Sequence, residues 1–145
     1  MDNNQQIKFS IVTQERVVYQ DEVDQVTVTT QAGEITILPR HTALVSILKA
    51  GEMRIKKGDN EVLLAVAGGV LEVRPSRRVV ILAERAEKAE EIDIERAEKA
   101  RQRAEELFNQ KEQISNIEYA NLQAVLEKEL ARVKVGRKYR NLKMR

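Results

Sequence analysis

Hydrophobic and polar positions follow two different periods along this chain. In the first half, up to about Ala83, apolar residues alternate with polar ones, as in the segment 7–11 (IKFSI). A period of two places alternate side chains on opposite faces of a strand. Short runs of this kind, separated by turns, are typical of an antiparallel sandwich or barrel, and we expect about eight to ten strands. The clearest runs lie at 7–11, 23–29, 35–38, 44–48, 53–56, 62–66, 70–73 and 79–82, with Gly68-Gly69 as one of the predicted turns.

After Pro75 the breaker residues disappear and the pattern becomes helical. Five of the six glycines and both prolines lie at or before Pro75, and the segment 84–112 is rich in Ala, Glu, Lys and Arg. These residues favour helix. Asp93 can cap a first helix that runs to about Gln110. Its apolar stripe consists of Ala97, Ala100, Ala104 and Leu107.

A second helix is predicted to begin at Ser115. Ser115 and Glu118 have the spacing of a capping box, with Ile114 and Tyr119 placed as a hydrophobic staple. Gly136 is the predicted C-terminal stop. The apolar positions form two adjacent faces, Ile117, Ala120, Ala124 and Ala131 on one and Leu122, Leu126, Leu130 and Val133 on the other.

The predicted fold is therefore α+β in two parts. Residues 1–85 are expected to form the β-sandwich, and residues 86–145 an antiparallel helical hairpin with a basic tail. The hairpin seam is mainly alanine, and each alanine buries about one methyl group, worth roughly 0.8 kcal/mol. Such a hairpin is marginal by itself, so the sequence predicts a β module with a detachable helical arm.

Composition excludes several kinds of chemistry. The chain has no cysteine and one histidine, His41, so the usual His/Cys metal sites cannot be assembled. It contains no phosphate-binding loop, dinucleotide fingerprint or nucleophile elbow. A net charge of +2 is too small to indicate nucleic acid, and no run approaches the ~20 apolar residues that span a bilayer. We expect no catalytic activity, a loop role for His41, and membrane association only through a partner.

Three motifs occur in order at 33–41 (GEITILPRH), at 67–73 (AGGVLEV), and at 81–83 (ILA) followed by 89–93 (AEEID). Together they resemble the epsilon subunit of the bacterial and chloroplast F-type rotary ATP synthase, and the resemblance covers the chain from about Ile7 to Val135. Three features depart from the family pattern. Arg40 replaces a glycine and Thr42-Ala43 replaces Ala-Pro, and residues 137–145 extend past the usual C-terminus.

This resemblance implies a role in the rotor. The sandwich is expected to bind the gamma subunit and the c-subunit ring, with Glu34, Arg40 and His41 in the ring-contact loop. The hairpin is expected to fold against the sandwich or to extend along gamma into the alpha/beta head, where it blocks ATP hydrolysis. The protein would couple proton- or sodium-driven rotation to the head, need no cofactor, and lie peripherally on the cytoplasmic side of the bacterial plasma membrane.

The segment 92–97 (IDIERA) resembles the ATP-binding motif Ile/Leu-Asp-x-x-Arg-Ala of some family members. At position 128 a lysine replaces an arginine, which keeps the charge but loses the bidentate fork. The alternative interpretation is that Asp93 is an ordinary N-cap and the cations lie on helix surfaces. By resemblance the ATP-binding residues are Glu87, Ile92, Asp93, Arg96, Ala97, Arg103, Lys128 and Arg132.

The C-terminus is strongly basic, with seven Lys or Arg residues and no acid from Ala131 to Arg145. The resemblance implies an inhibitory tail that engages acidic segments of the catalytic head, made of Arg132, Lys134, Arg137 and Lys138. Other interpretations remain open. The tail could be a solvated one, the chain could be a stand-alone ATP sensor, or it could be an adaptor that binds nucleic acid or anionic lipid, although only Tyr139 is available there for base stacking.

Overall fold

The computed structural model describes residues 6–110 and 115–144. The predicted order of a β domain followed by two helices is confirmed. The strands are β1 (Ile7–Val12), β2 (Val17–Val23), β3 (Gln25–Thr30), β4 (Gly33–Ile37), β5 (Leu44–Ile47), β6 (Gly51–Lys57), β7 (Asn60–Arg74) and β8 (Arg78–Lys88), and after a short 3-10 turn (Ala89–Glu91) come the helices α1 (Ile94–Gln110) and α2 (Asn116–Lys143).

The hairpin of β7 and β8 carries the rest of the sheet. These strands pair from Leu64 opposite Lys88 to Arg74 opposite Arg78. The first part of β7 also pairs with β6, which leads to β3 and β4, and its last part pairs with β5. The start of β8 pairs with β1, which carries β2; the β1–β8 pair is parallel, unlike the other pairs named here. Because both groups of strands share one hairpin, the sheet folds over on itself and closes a core.

The core follows the period of two. Ile7, Phe9 and Ile11 are at most 1% exposed, and they alternate with less buried residues along β1. Phe9 packs against the half-buried Tyr19, with ring centroids 6.1 Å apart. Most of the remaining core is aliphatic, as the scarcity of aromatic residues requires. Its fully buried members include Val26, Val28, Ile37, Met53, Ile55, Leu64, Leu71 and Ile81.

The prediction of a turn at Gly68-Gly69 is wrong, because both glycines lie inside β7. They have φ values of +70° and +121°, yet pairing with β8 continues from Ala67 opposite Arg85 to Gly69 opposite Ala83. A Cβ at Gly69 would lie 2.2 Å from the carbonyl oxygen of Leu82. The glycines therefore bend a continuous strand where its backbone meets that of β8.

Two other strand boundaries differ from the sequence pattern. The run predicted at 23–29 is divided, because β2 ends at Val23 and β3 begins after Asp24. The Asp24 carboxylate accepts a hydrogen bond from the Gly58 N–H at 2.6 Å, which holds this break against the turn after β6. At the other end, β8 continues past Ala83 to Lys88, so the sheet supplies five more residues than the pattern indicated.

Both predicted helix starts are confirmed. Asp93 accepts a hydrogen bond at Oδ1 from the Arg96 N–H at 3.1 Å. Ser115 and Glu118 form the reciprocal capping box, whereas Ile114 of the predicted staple lies outside the described residues. Neither described helix is long and apolar enough to cross a membrane.

The helical arm is packed well near its base and poorly toward its tip. At the base, Val135 is fully buried with Leu63 and Ala65 on the outer face of β7. Toward the tip, Leu107 is 48% exposed and Ile117 is 75% exposed, so the predicted stripes are only partly buried. The apolar packing of the arm on the sheet is thus concentrated in one small cluster near its base.

The prediction that Gly136 ends α2 is wrong, because the helix continues to Lys143. A Cβ at this position would lie 2.8 Å from Ile94 Cγ1 and 3.2 Å from Ile92 Cγ2. Glycine is therefore needed for the close approach of α2 to the start of α1. The preference of glycine for helix ends gave the wrong interpretation, since packing overrides propensity here.

Replacing Gly136 with alanine should loosen the arm. Helix propensity favours alanine by about 1 kcal/mol, but overpacking typically costs about 1–3 kcal/mol, and Ile94 is β-branched and buried. Amide hydrogen exchange should become faster in α1 and α2 and stay unchanged in the sheet. Asn141→Ala, at an exposed position of α2, is the control and should slow exchange or leave it unaltered. Slower exchange in Gly136→Ala would contradict the packing argument.

Candidate functional site

A cleft of about 830 Å³ lies between the sheet and the arm. The loop after β1, the middle of β7, the end of β8 and both helices contribute to its walls. Five basic and five acidic side chains line it, so the charges are balanced before any ligand enters. The basic residues are Arg16, Arg85, Arg96, Lys128 and Arg132, and the acidic residues are Glu15, Glu84, Glu87, Glu91 and Asp93.

The most direct link across the cleft joins Arg132 on α2 to Glu87 on β8. Arg132 donates from Nε to Glu87 Oε2 at 2.8 Å and from Nη2 to Glu87 Oε1 at 3.4 Å. Its Nη1 donates to Glu129 Oε2 at 2.8 Å. Burial acts to lower the pKa of Arg132, but the hydrogen bonds and charges of Glu87 and then Glu129 raise it above its usual value. The guanidinium therefore stays charged while it ties the arm to the sheet.

Glu129 is the buried member of this network, with 4% of its surface exposed. A second cation, Lys128, places its Nζ 3.4 Å from Glu129 Oε1. A carboxylate removed from water requires such partners. Sequence reasoning missed Glu129, although its position three residues before Arg132 on the same helix is a detectable ion-pair spacing.

The ATP-binding residues predicted by resemblance fall into two groups. Glu87, Asp93, Arg96, Lys128 and Arg132 all line the cleft. The exposed Arg96 follows Asp93 by three residues, and the cap at Asp93 fixes the start of the helix that carries it.

The other three predicted residues do not line the cleft. Ala97 is fully buried, and Ile92 packs in the apolar cluster at the base of the arm. Arg103 is exposed farther along α1. Ile92 and Ala97 thus have packing positions, and Arg103 lies on a solvated helix surface.

The three residues of the predicted ring-contact loop lie apart from the cleft. Glu34 on β4 accepts from Arg54 Nη2 at 2.9 Å. Arg40 and His41 are exposed, and His41 donates from Nδ1 to the carbonyl oxygen of Thr42 at 2.8 Å. Among residues 6–110 and 115–144 there is no group of three His, Cys, Asp or Glu residues able to hold a metal ion.

The predicted basic tail is helical where the structure describes it, and most of its named cations contact carboxylates. Arg137 Nη2 lies 3.0 Å from Glu98 Oε2 on α1, and Lys138 Nζ lies 2.6 Å from Glu52 Oε1 on β6. Lys134 is exposed. The tail is thus part of the docked arm.

The family models match the two parts of this fold in turn. The beta-sandwich domain of the ATP synthase Delta/Epsilon chain matches residues 6–89, and the long alpha-helix domain of the same chains matches residues 90–136. The chain therefore belongs to the ATP synthase delta/epsilon chain family.

Within this family, similar chains include ATP synthase epsilon chains from bacteria. One from Dehalococcoides mccartyi is 46% identical over 134 residues, which cover 92% of this chain and 94% of the relative. Another, from Halalkalibacterium halodurans, is 44% identical over 130 residues, or 90% of this chain and 96% of the relative. The resemblance predicted from three short motifs is confirmed.

Two solved structures share the fold. A chain of the Euglena gracilis mitochondrial ATP synthase, solved as OSCP/F1/c-ring, superposes with a TM-score of 0.74 at 24% identity, covering 88% of this chain and 79% of that one. A chain of the central stalk/c-ring structure of the Tetrahymena thermophila mitochondrial ATP synthase gives 0.68 at 14% identity, covering 91% and 97%. At these identities the likeness concerns the fold alone.

Removing the Arg132 guanidinium should weaken the docking of the arm. In Arg132→Gln, Glu87 and Glu129 lose a shared cation, and hydrogen bonds to charged groups contribute about 1.5–3 kcal/mol. We expect a loss of this order in the free energy of unfolding of the helices, measured by urea titration at 222 nm. Arg103→Gln replaces an exposed arginine on the same arm and should cost less than about 0.5 kcal/mol. Equal losses in the two variants would contradict a role for the network.

Proposed function

We propose that this chain is a non-catalytic rotor subunit in the central stalk of a proton- or sodium-driven ATP synthase. It couples rotation of the ring to the catalytic head, and its arm restrains ATP hydrolysis. The observation that carries this proposal is the continuous family match over both parts of the chain, together with an arm that packs on the sheet through a small apolar cluster. A stable domain bearing a weakly held arm suits a subunit that keeps one attachment while changing another.

The outer face of the sheet supports docking to the gamma subunit. Ile47, Val70 and Leu82 are direct neighbours across β5, β7 and β8. Their exposures are 54%, 38% and 53%, and cross-strand neighbours lie on the same face. Contiguous exposed apolar rows mark protein interfaces more often than single exposed residues do. We assign this row to the stalk partner.

The loop after β4 supports the ring contact by its exposure. Leu38 is 54% exposed, and Arg40 and His41 are exposed beside it. An apolar side chain flanked by polar donors suits the rim of a protein contact. Through this loop and the gamma subunit, the chain would lie peripherally on the cytoplasmic side of a bacterial plasma membrane, and the bacterial relatives support this placement.

The arm supports regulation because its contacts can be exchanged. Alanines such as Ala97 and Ala104 make up much of the buried seam, and ion pairs hold the edges. In the extended state Arg132, Lys134, Arg137 and Lys138 would contact acidic segments of the alpha/beta head. In the docked arm most of these cations already contact carboxylates, as they would in the head. The docked and extended states would therefore differ little in ion-pair energy.

ATP is the regulatory ligand that suits the cleft. Arg96, Lys128 and Arg132 can give charge-assisted hydrogen bonds to phosphate oxygens, and they come from both helices. A nucleotide held between them and β8 would stabilise the docked arm by mass action. Arg132 already donates a hydrogen bond to Glu87, so the phosphates would have to replace this carboxylate. This competition limits the affinity for ATP.

A stand-alone ATP sensor is the second candidate, because it would use the same cleft. Purification from native membranes distinguishes the two: a rotor subunit should bring down gamma and catalytic-head subunits in fixed proportion. The adaptor hypothesis gains no support from the tail, since Arg137, Lys138 and Arg140 contact carboxylates of their own chain.

Removal of the arm should release ATP hydrolysis in the assembled enzyme. A chain that ends at Lys88 keeps every strand named above and lacks both helices. Complexes rebuilt with it should hydrolyse ATP several-fold faster than complexes with the full chain, while ATP synthesis is retained. Unchanged hydrolysis at full occupancy of the shortened subunit would refute the inhibitory role.

Titration calorimetry on the full chain tests the ATP proposal. We expect binding at up to millimolar ATP, weakened in Arg132→Gln by roughly tenfold or more, since about 1.4 kcal/mol corresponds to a factor of ten. Arg78→Gln is the matched control, because this exposed arginine lies on β8 outside the cleft. Absence of heat at millimolar ATP, or equal weakening in both variants, would remove ATP from the proposal.

A further inference from the structure

The last turns of α2 lie beyond the segment that the family's helix domain covers. That match ends at residue 136, whereas the helix continues to Lys143. We call residues 137–143 the terminal segment. It contains four cations and no acid, and it could have projected freely from the arm. Instead, its side chains reach two other elements of the fold.

Three cations of the terminal segment contact carboxylates outside α2. Two of them bind the first turns of α1, and the third binds the sheet at β6. The pairs are Arg137 Nη2 with Glu98 Oε2 at 3.0 Å, Arg140 Nη2 with Glu95 Oε1 at 3.1 Å, and Lys138 Nζ with Glu52 Oε1 at 2.6 Å.

The contact of Lys138 with Glu52 is the strongest of the three on structural grounds. Only 11% of the Glu52 side chain is exposed, so water screens this pair less than the others. Glu95 is 71% exposed and Arg137 is 61% exposed, and exposed pairs contribute little individually. Lys138 also bridges the arm to the sheet, whereas the other two pairs join the helices to each other.

The segment has an apolar contact beside these pairs. Tyr139 packs on the cluster of Leu63, Ala65 and Val135, where α2 meets β7. Its ring also lies 5.1 Å from Lys143 Nζ, within the range of a cation–π contact. Charged and apolar contacts on adjacent residues therefore hold the segment to the base of the arm.

We propose that the terminal segment is a latch that keeps the arm docked on the sandwich. This inference rests on the proposed regulation by the arm. The latch contacts would then have the opposite effect on ATP hydrolysis from the arm as a whole. Loss of the entire arm removes the inhibitor, whereas loss of the latch alone releases the arm and strengthens inhibition. A docked arm with a thin alanine seam is sensitive to such additional contacts.

Energy transfer on the full chain measures the docking directly. The chain has no native cysteine, so cysteines introduced at the exposed positions Asp59 and Asn121 would carry a donor and an acceptor. The combined variant Arg137→Ala, Lys138→Ala and Arg140→Ala should raise the undocked fraction several-fold. Added salt should undock the unaltered chain in the same direction, because it screens these pairs.

Two further variants separate the latch from a general loss of charge. Lys99→Ala removes an exposed cation from α1 and should leave the transfer efficiency unchanged. Arg140→Glu places like charges at this pair and should raise the undocked fraction by less than the combined variant does, and adding Glu95→Arg should restore docking by reversing the pair. Circular dichroism at 222 nm checks that both helices persist. If the combined variant does not fold, the transfer efficiency of Lys138→Ala alone tests the latch. Unchanged transfer efficiency in the deciding variant overturns the latch.

The assembled enzyme then separates the two proposals. The triple variant Glu52→Gln, Glu95→Gln and Glu98→Gln breaks the latch pairs but keeps Arg137 and Lys138 for the proposed contact with the head, so it should give slower ATP hydrolysis than the unaltered chain. A chain that ends at Lys88 should give faster hydrolysis. If the Lys88 truncation has no effect, the inhibitory role fails and the energy-transfer result still decides the latch. If the triple glutamine variant accelerates hydrolysis, release of these pairs does not favour the inhibiting state and the latch is wrong.

Discussion

The close pairing of β7 with β8 is the contact on which the rest of this structure depends. Gly69 allows the two backbones to meet where a Cβ would lie 2.2 Å from the Leu82 carbonyl oxygen. The hairpin joins both groups of strands around the core, and its outer face carries Leu63 and Ala65, on which the arm docks. The end of β8 supplies Glu87 to the cleft. The β7–β8 hairpin therefore positions both the core of the fold and the candidate site.

The arm differs from the sandwich in what holds it. Core residues such as Ile7 and Leu64 are fully buried and large, and burial of such a side chain contributes about 1.5–3 kcal/mol. The arm buries fewer and smaller side chains, about half of them alanines, and adds one close contact at Gly136 and partly exposed ion pairs. Its docking is therefore weaker than the folding of the domain that carries it. The proposed regulation requires this difference, because one part would remain attached to a complex while the other changes position.

Local sequence pattern was sufficient where local physics decides the structure. The alternation in β1 and the caps at Asp93 and Ser115 depend on neighbouring residues, and each is found as predicted. The pattern failed at Gly68-Gly69 and at Gly136. A glycine fits a turn, a bent strand or a tight helix contact equally well, and only the opposing element distinguishes them. No single stretch of the chain contains that information.

The same limit applies to the charges of the candidate site. A motif could indicate Asp93 and Arg96 together, but the partner of Arg132 lies 45 residues away, at Glu87. Whether a cation is solvated, paired within the chain or available to phosphate depends on such distant carboxylates. In the docked arm Arg132 and Lys138 are both paired across elements. Any ligand or protein that takes these cations must first compete with Glu87 or Glu52, so these carboxylates of the sandwich oppose displacement of the arm.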